Sequence, residues 1–138
     1  MTNSSLTIAG NYQNLTAIGQ FVTHWAIESG LDERAVYAVQ MAVDEACSNI
    51  IEHAYGGESK GDVELYCRKL DDGLEVTIRD QGHPFDPTAI DAPNIHAPLE
   101  ERGEGGLGLF LMKELMDEVA FEFSKGGNTL LLVKKKSR

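Results

Sequence analysis

A glutamate and an asparagine in the first half of the sequence have types and spacing suited to catalysis. Glu45 and Asn49 lie four residues apart in a pattern typical of a helix, so both side chains project from the same face. A carboxylate can accept a proton from an incoming hydroxyl group, and a neutral amide oxygen can bind Mg²⁺. The pair suits phosphoryl transfer, although an isolated pair with this spacing more often belongs to an ordinary solvated helix face.

A second candidate segment is Asp80-Gln81-Gly82, at the end of an alternating strand pattern. The carboxylate of Asp80 can accept a hydrogen bond from the amino group of adenine, and Gly82 lets the backbone come close to a flat ligand. The same residues are equally typical of a simple turn. Both interpretations stay open on this segment alone.

A glycine-rich segment before a third helical pattern predicts a phosphate-binding turn, because backbone amides and the dipole at a helix N-terminus attract anions. The glycines are Gly103, Gly105, Gly106 and Gly108. Arg102 adds a forked cation suited to a terminal phosphate. Thr129, after a later glycine turn, can hydrogen-bond the edge of a base or serve only as a strand-forming residue. Taken together, the segments predict a nucleotide site.

Two helices are expected to precede these segments. The better defined one begins at an N-cap, Asp32, and its apolar residues recur at steps of three and four until Gly56-Gly57. An earlier helix is expected over residues 14–29, with Asn14 as its cap, after a short strand at residues 6–8. The second helix would therefore present Glu45 and Asn49.

Two hairpins are also predicted. Alternating residues 63–67 and 74–78 flank the turn Asp71-Asp72-Gly73, and a closing hairpin joins residues 120–124 and 129–135 through Gly126-Gly127-Asn128. Between the hairpins, residues 81–104 hold all four prolines and are expected to form a long loop, and helical spacing returns over residues 107–119.

This order of elements predicts an α/β (α+β) fold. We expect a two-layer sandwich with a mixed, mostly antiparallel sheet and helices on one face, formed by a single domain over residues 1–138. A parallel dinucleotide-binding sheet fits poorly, because neither of the two common glycine-rich phosphate loops follows an early strand.

Composition narrows the possible partners and compartment. The net charge of −10 argues against binding to DNA or RNA, which needs a clustered basic surface. No apolar run approaches the ~20 residues that span a bilayer. Cys47 and Cys67 lack metal-ligand spacing and are expected to fill the core in a reducing compartment, so a cytoplasmic protein without a membrane partner is expected.

The chain resembles the anti-sigma factor serine/threonine-protein kinases, within the superfamily of histidine-kinase-like ATPases that includes gyrase, Hsp90 and MutL. The resemblance covers nearly the whole chain. Three boxes carry it in the same order: Glu45, Asn49 and His53-Ala54-Tyr55; Asp80-Gln81-Gly82 with Phe85-Asp86; and Gly105-Gly106-Leu107-Gly108-Leu109 with Met116-Asp117-Glu118-Val119. No single box is specific, but the three at these separations are.

The resemblance implies a Bergerat-type ATP-binding fold and a set of residue roles. Mg-ATP would be held through Asn49, adenine through Asp80 and Thr129, and the phosphates by Arg102 and the glycine segment that ends at Leu109. Glu45 would be the base that activates a partner's serine. The family also implies a homodimer that holds a sigma factor inactive and phosphorylates an anti-anti-sigma STAS-domain protein.

Two alternatives remain open. ATP could order the site and set the affinity for a protein partner without phosphorylation. The catalytic domain of a histidine kinase ranks last, because it needs a phosphoacceptor helix pair for which the expected elements leave no place. The interval from Pro84 to Glu104 matches no family motif, so the identity of the partner also stays open.

Overall fold

A computed structural model describes residues 4–84, 111–124 and 126–136. The chain forms β1 (Ser5–Ala9), a 3-10 turn (Tyr12–Asn14), α1 (Leu15–Glu28), α2 (Glu33–Asn49), a π-helical turn (Ile50–Ala54), β2 (Asp62–Leu70), β3 (Gly73–Asp80), β4 (Glu118–Ser124) and β5 (Gly127–Lys135). Residues 111–115 are also helical.

The five strands form one sheet in the order β1-β2-β3-β5-β4, and each of the four pairings is antiparallel. The hairpin between β2 and β3 turns through Asp71 and Asp72, as predicted. The helices pack on one face: α1 lies against β2 and β3, and α2 lies against β5. The predicted two-layer sandwich is confirmed.

Alternation along the strands separates the core from the open face of the sheet. Leu74, Val76 and Ile78 on β3 are buried toward the helices, whereas the intervening Glu75 and Thr77 are half-buried and Arg79 is exposed. On α2 the apolar stripe predicted from the spacing is buried, and the Asp32 carboxylate caps the helix by accepting from the Ala35 amide over 2.8 Å. Core packing thus fixes α2 against the sheet at β5.

The boundaries of α1 are as predicted apart from the cap hydrogen bond, whereas two other helix boundaries differ from the prediction. Asn14 does occupy the position before α1, but its Nδ2 donates to the backbone oxygen of Ala9 and its side chain does not cap the helix. The helical spacing of α2 continues past Asn49, yet residues 50–54 widen into a π-helical turn. A step pattern of three and four residues does not distinguish this turn from an α-helix.

The last boundary error concerns the helix predicted over residues 107–119. Helical structure ends at residue 115, because the amide of Asp117 donates to the Val133 oxygen and β4 begins at Glu118. The side chain of Lys134 then donates to the Leu115 carbonyl over 2.7 Å, a favourable cation at a helix C-terminus. Pairing with β5 therefore overrides the local helical pattern.

Candidate functional site

The end of α2 brings one of the predicted residues, Asn49, to a cleft. Asn49 is the last residue of the helix, is 8% exposed and lines the cleft together with Ala46. Glu45 is half-buried and lies one turn earlier on the same side of α2. The carboxylate of Glu45 and the amide of Asn49 thus lie on one side of α2, and Asn49 lines the cleft whereas Glu45 is not among its lining residues.

The π-helical turn that follows Asn49 contacts the second candidate segment. The carbonyl oxygen of Ala54 accepts from the amide of His83 over 2.8 Å. The Tyr55 hydroxyl accepts from the amide of Gln81 over 2.9 Å and donates to the Asp62 carbonyl over 2.6 Å. Burial raises the pKa of Tyr55, so its hydroxyl stays protonated for the second of these bonds. The turn thus fixes the backbone on either side of Gly82, and such turns are frequent at functional sites.

Asp80 closes the other side of the cleft. It ends β3, is 2% exposed, and its Oδ1 accepts from the Gly82 amide over 2.9 Å and from Nδ2 of Asn128 over 2.8 Å. Burial raises the pKa of the Asp80 carboxyl, and the two hydrogen bonds oppose that shift. A buried carboxylate with defined donors on one oxygen suits recognition of a ligand that carries an N–H group.

The walls of the cleft between Asn49 and Asp80 are mostly apolar. They are formed by Ala46, Ile50, Ile78, Met112, Phe121, Phe123 and Leu130, and Asn128 and Thr129 complete the lining. The rings of Phe121 and Phe123 stack with centroids 5.6 Å apart. The cleft encloses about 20 Å³, room for about one water molecule, so a base could enter only if the walls moved apart, and it is the chemistry of the walls that suits a ligand. Apolar walls with a few polar groups fit a flat heteroaromatic base.

Sequence reasoning missed part of this site. Asn128 was placed in a turn, but it pairs directly with Asp80 as part of β5. Thr129 instead pairs with Arg79, so its side chain lies on the opposite face of the sheet from that of Asp80. Its contact with a base stays a prediction. The alternation of Phe121 and Phe123 on β4 was the available signal for the apolar wall.

Gly82 is placed as predicted, but the close approach that it permits is to the protein itself. A Cβ at this position would lie 2.6 Å from the carbonyl carbon and oxygen of Ala54. Contact between Gly82 and a flat ligand stays a prediction. The phosphate-binding candidates Arg102, Gly105, Gly106, Leu107, Gly108 and Leu109 lie outside the described residues.

A larger depression lies between α1 and α2. It is lined by Thr16, Gln20, Tyr37, Gln40 and Asp44 among others, and neither Asn49 nor Asp80 contributes to it. The paired polar groups therefore identify the smaller cleft as the candidate site.

Comparison with known proteins identifies the family to which a chain with this fold belongs. Residues 8–134 match the model of the histidine kinase-like ATPase domain. The chain belongs to this family.

The similar curated proteins in the family include several named serine-protein kinase RsbW. The one from Bacillus velezensis is 39% identical over 100 residues, which is 70% of this chain and 62% of the relative. The one from Listeria innocua is 32% identical and covers 77% of this chain and 70% of the relative. The Bacillus subtilis protein is 36% identical over 64% of this chain and 58% of its own length. The match thus spans less than two thirds of the first and third of these relatives.

Solved structures show the same fold. The RsbU and RsbW domains of a Mycobacterium tuberculosis protein superpose with a TM-score of 0.64 at 19% identity, covering 99% of this chain and 33% of that one. The histidine kinase domain of an Erythrobacter litoralis blue-light activated kinase gives 0.54 at 18% identity, covering 97% of this chain and 69% of that one.

Proposed function

We propose that this chain is a Mg-ATP-dependent protein-serine kinase that acts as an anti-sigma, partner-switching regulator. The observation that carries the proposal is the cleft in which Asn49 and Asp80 meet, with Glu45 one helical turn before Asn49. A base, a neutral metal ligand and a purine acceptor are the groups that phosphoryl transfer from ATP to a hydroxyl requires. The serine-protein kinase relatives support this activity.

In this proposal Asn49 is the protein ligand of Mg²⁺. Within residues 4–84, 111–124 and 126–136, no three His, Cys, Asp or Glu side chains lie together as a metal site. Mg²⁺ at a nucleotide commonly takes few protein ligands and fills its sphere with phosphates and water, so one amide oxygen beside the base cleft fits. The metal would neutralise charge on the transferred phosphoryl group.

The other roles follow from the family. Asp80 would bind the adenine amino group, with Gly82 and Thr129 near the base, and the phosphates would lie against Arg102 and residues 105–109. The protein partners would be a sigma factor and an anti-anti-sigma STAS-domain protein, met by a homodimer in the cytoplasm. Within the described residues, no helix is both long enough and apolar enough to cross a membrane.

Phosphotransfer from radiolabelled ATP to a STAS-domain protein of the same organism tests the proposal. Glu45→Gln preserves the size of the side chain and removes the base, so we expect the rate to fall roughly 10²- to 10⁴-fold while the affinity for Mg-ATP stays close to wild type. Asp44→Asn is the matched control. The carboxylate of Asp44 is exposed and neighbours Glu45, but it lines the larger depression between α1 and α2.

Two other outcomes have distinct meanings. Equal rates of phosphotransfer by wild type and Glu45→Gln would show that Glu45 is not the base. ATP-dependent binding of the partner without any phosphoprotein, unchanged in Glu45→Gln, would identify a regulatory ATP-binding module and contradict the kinase proposal.

A further inference from the structure

Asn128 is a buried polar residue in the cleft with well-defined partners. It is 4% exposed, and its Nδ2 donates to Oδ1 of Asp80 over 2.8 Å and to the backbone oxygen of His83 over 3.0 Å. Because both partners are acceptors, the amide must present its nitrogen to them. Its own Oδ1 is buried and has no hydrogen-bond partner within the described residues.

The hydrogen bonds to Asp80 fix the rotation of its carboxylate. Oδ1 accepts from Asn128 and also from the Gly82 amide over 2.9 Å. Hydrogen bonds to a charged acceptor are short and directional, so two donors on one oxygen hold the plane of the carboxylate. In the part of the chain that the structure describes, Oδ2 is the oxygen left to accept from a ligand.

The backbone of the closing hairpin is built to bring Asn128 to this position. Gly127 has φ +134, and a Cβ there would lie 2.4 Å from the backbone oxygen of Asp80. Only glycine permits both the conformation and the approach. Asn128 then pairs directly with Asp80, so the two side chains lie on the same face of the sheet.

We propose that Asn128 is a positioning residue for base recognition, which holds the Asp80 carboxylate so that the cleft selects purines with a 6-amino group. The inference rests on the proposed binding of ATP. Oδ1 of Asp80 accepts from the protein donors. Two acceptor atoms then remain in the described part of the cleft, namely Oδ2 of Asp80 and the buried Oδ1 of Asn128. A 6-oxo purine would place a third acceptor against them, and unpaired buried acceptors are strongly disfavoured.

The test is calorimetric titration of the full chain, with magnesium present, using three nucleotides: ATP, purine riboside triphosphate, which lacks the 6-amino group, and GTP. We expect wild type to bind ATP roughly 10- to 100-fold more tightly than purine riboside triphosphate, as for one hydrogen bond to a charged group. In Asn128→Ala this ratio should fall to about threefold or less, while the affinity for purine riboside triphosphate stays within about twofold.

Two further variants separate positioning from general structural support. Asn128→Ser retains a donor on the same Cβ, so it should recover part of the preference, and it carries the test if Asn128→Ala does not fold. Thr77→Ala is the matched control, because Thr77 is on β3 but pairs with Leu131 on the open face of the sheet. It should leave the ratio unchanged.

The outcomes distinguish this inference from the proposed function. An unchanged ratio in folded Asn128→Ala, or an equal loss for ATP and purine riboside triphosphate, would overturn the role of Asn128 and leave ATP binding intact. If wild type binds none of the nucleotides, the proposed function fails and the inference fails with it.

Discussion

Asp80 is a buried carboxylate, and its burial reduces the stability of the fold. It is almost fully buried, and burial raises the pKa of its carboxyl despite the opposing hydrogen bonds from Gly82 and Asn128. Since the ionised form is disfavoured in the folded state, Asp80 lowers the free energy of unfolding at neutral pH. A buried group that reduces stability is more typical of a functional site than of an ordinary core.

Asp80→Asn is therefore expected to separate stability from binding. The amide oxygen can still accept from Gly82 and Asn128, so the variant should gain about 1 kcal/mol in free energy of unfolding at neutral pH. It should lose roughly 10- to 100-fold in affinity for ATP, because the remaining group is a donor facing the adenine amino group. Urea unfolding and nucleotide titration measure the two effects.

The pH dependence of this gain has a defined sign. Because the folded-state pKa of Asp80 lies above its ordinary value of 3.8, the cost is complete above the folded-state pKa and disappears as the pH falls toward 3.8. The stability difference between Asp80→Asn and wild type should shrink over that window. A difference independent of pH would show that burial of the charge is not its cause.

At the scale of elements, the π-helical turn connects the end of α2 to the segment that follows Asp80. Ala54, at its end, accepts from the His83 amide, and Gly82 packs against the same carbonyl group. The ring of Tyr55 fills the space beside Gly61, where a Cβ would lie 2.3 Å from Cε1 of the tyrosine. Movement of the end of α2 would thus displace the segment that follows Asp80.

Alanine substitutions at two glycines should have opposite effects. Gly82→Ala places a methyl group within 2.6 Å of backbone atoms that cannot move aside, so we expect a loss of about 1–3 kcal/mol in free energy of unfolding and weaker nucleotide binding. Gly19→Ala adds a methyl group at an ordinary 3.5 Å from the Gln40 side chain within α1, and should gain about 0.5–1 kcal/mol. Denaturant unfolding of both variants provides the measurement. Equal stability of Gly82→Ala and wild type would contradict the tight contact.

The limits of prediction from sequence also become clear at the element scale. The β2–β3 hairpin and the Asp32 cap were predictable, because alternation and capping depend on neighbouring residues. The end of the helix at residue 115 and the position of Asn128 depend on pairing with β5, which no local pattern contains. The shared side of α2 on which Glu45 and Asn49 lie could be predicted from their spacing, whereas the hydrogen bond between Asp80 and Asn128 spans 48 residues.

At the scale of the whole molecule, one core joins the helices to the sheet, and both cysteines lie in it. Cys47 on α2 and Cys67 on β2 are buried free thiols. Burial raises the pKa of Cys67 to about 12, and burial together with the charges of Asp44 and Asp80 raises the pKa of Cys47. Since the thiolate is the reactive form, neither thiol should react before the core opens, as expected for core-filling residues.

Alkylation of these thiols by iodoacetamide should therefore report opening of the whole core. A ligand that binds only the folded state at 100 times its Kd adds about 2.7 kcal/mol, so saturating Mg-ATP should slow labelling roughly 100-fold. Because Cys47 lies between Glu45 and Asn49 whereas Cys67 lies on a strand, equal slowing at both sites, measured by mass spectrometry of peptides, would show one cooperative unit. Slowing at Cys47 alone would instead show that α2 opens independently of the sheet.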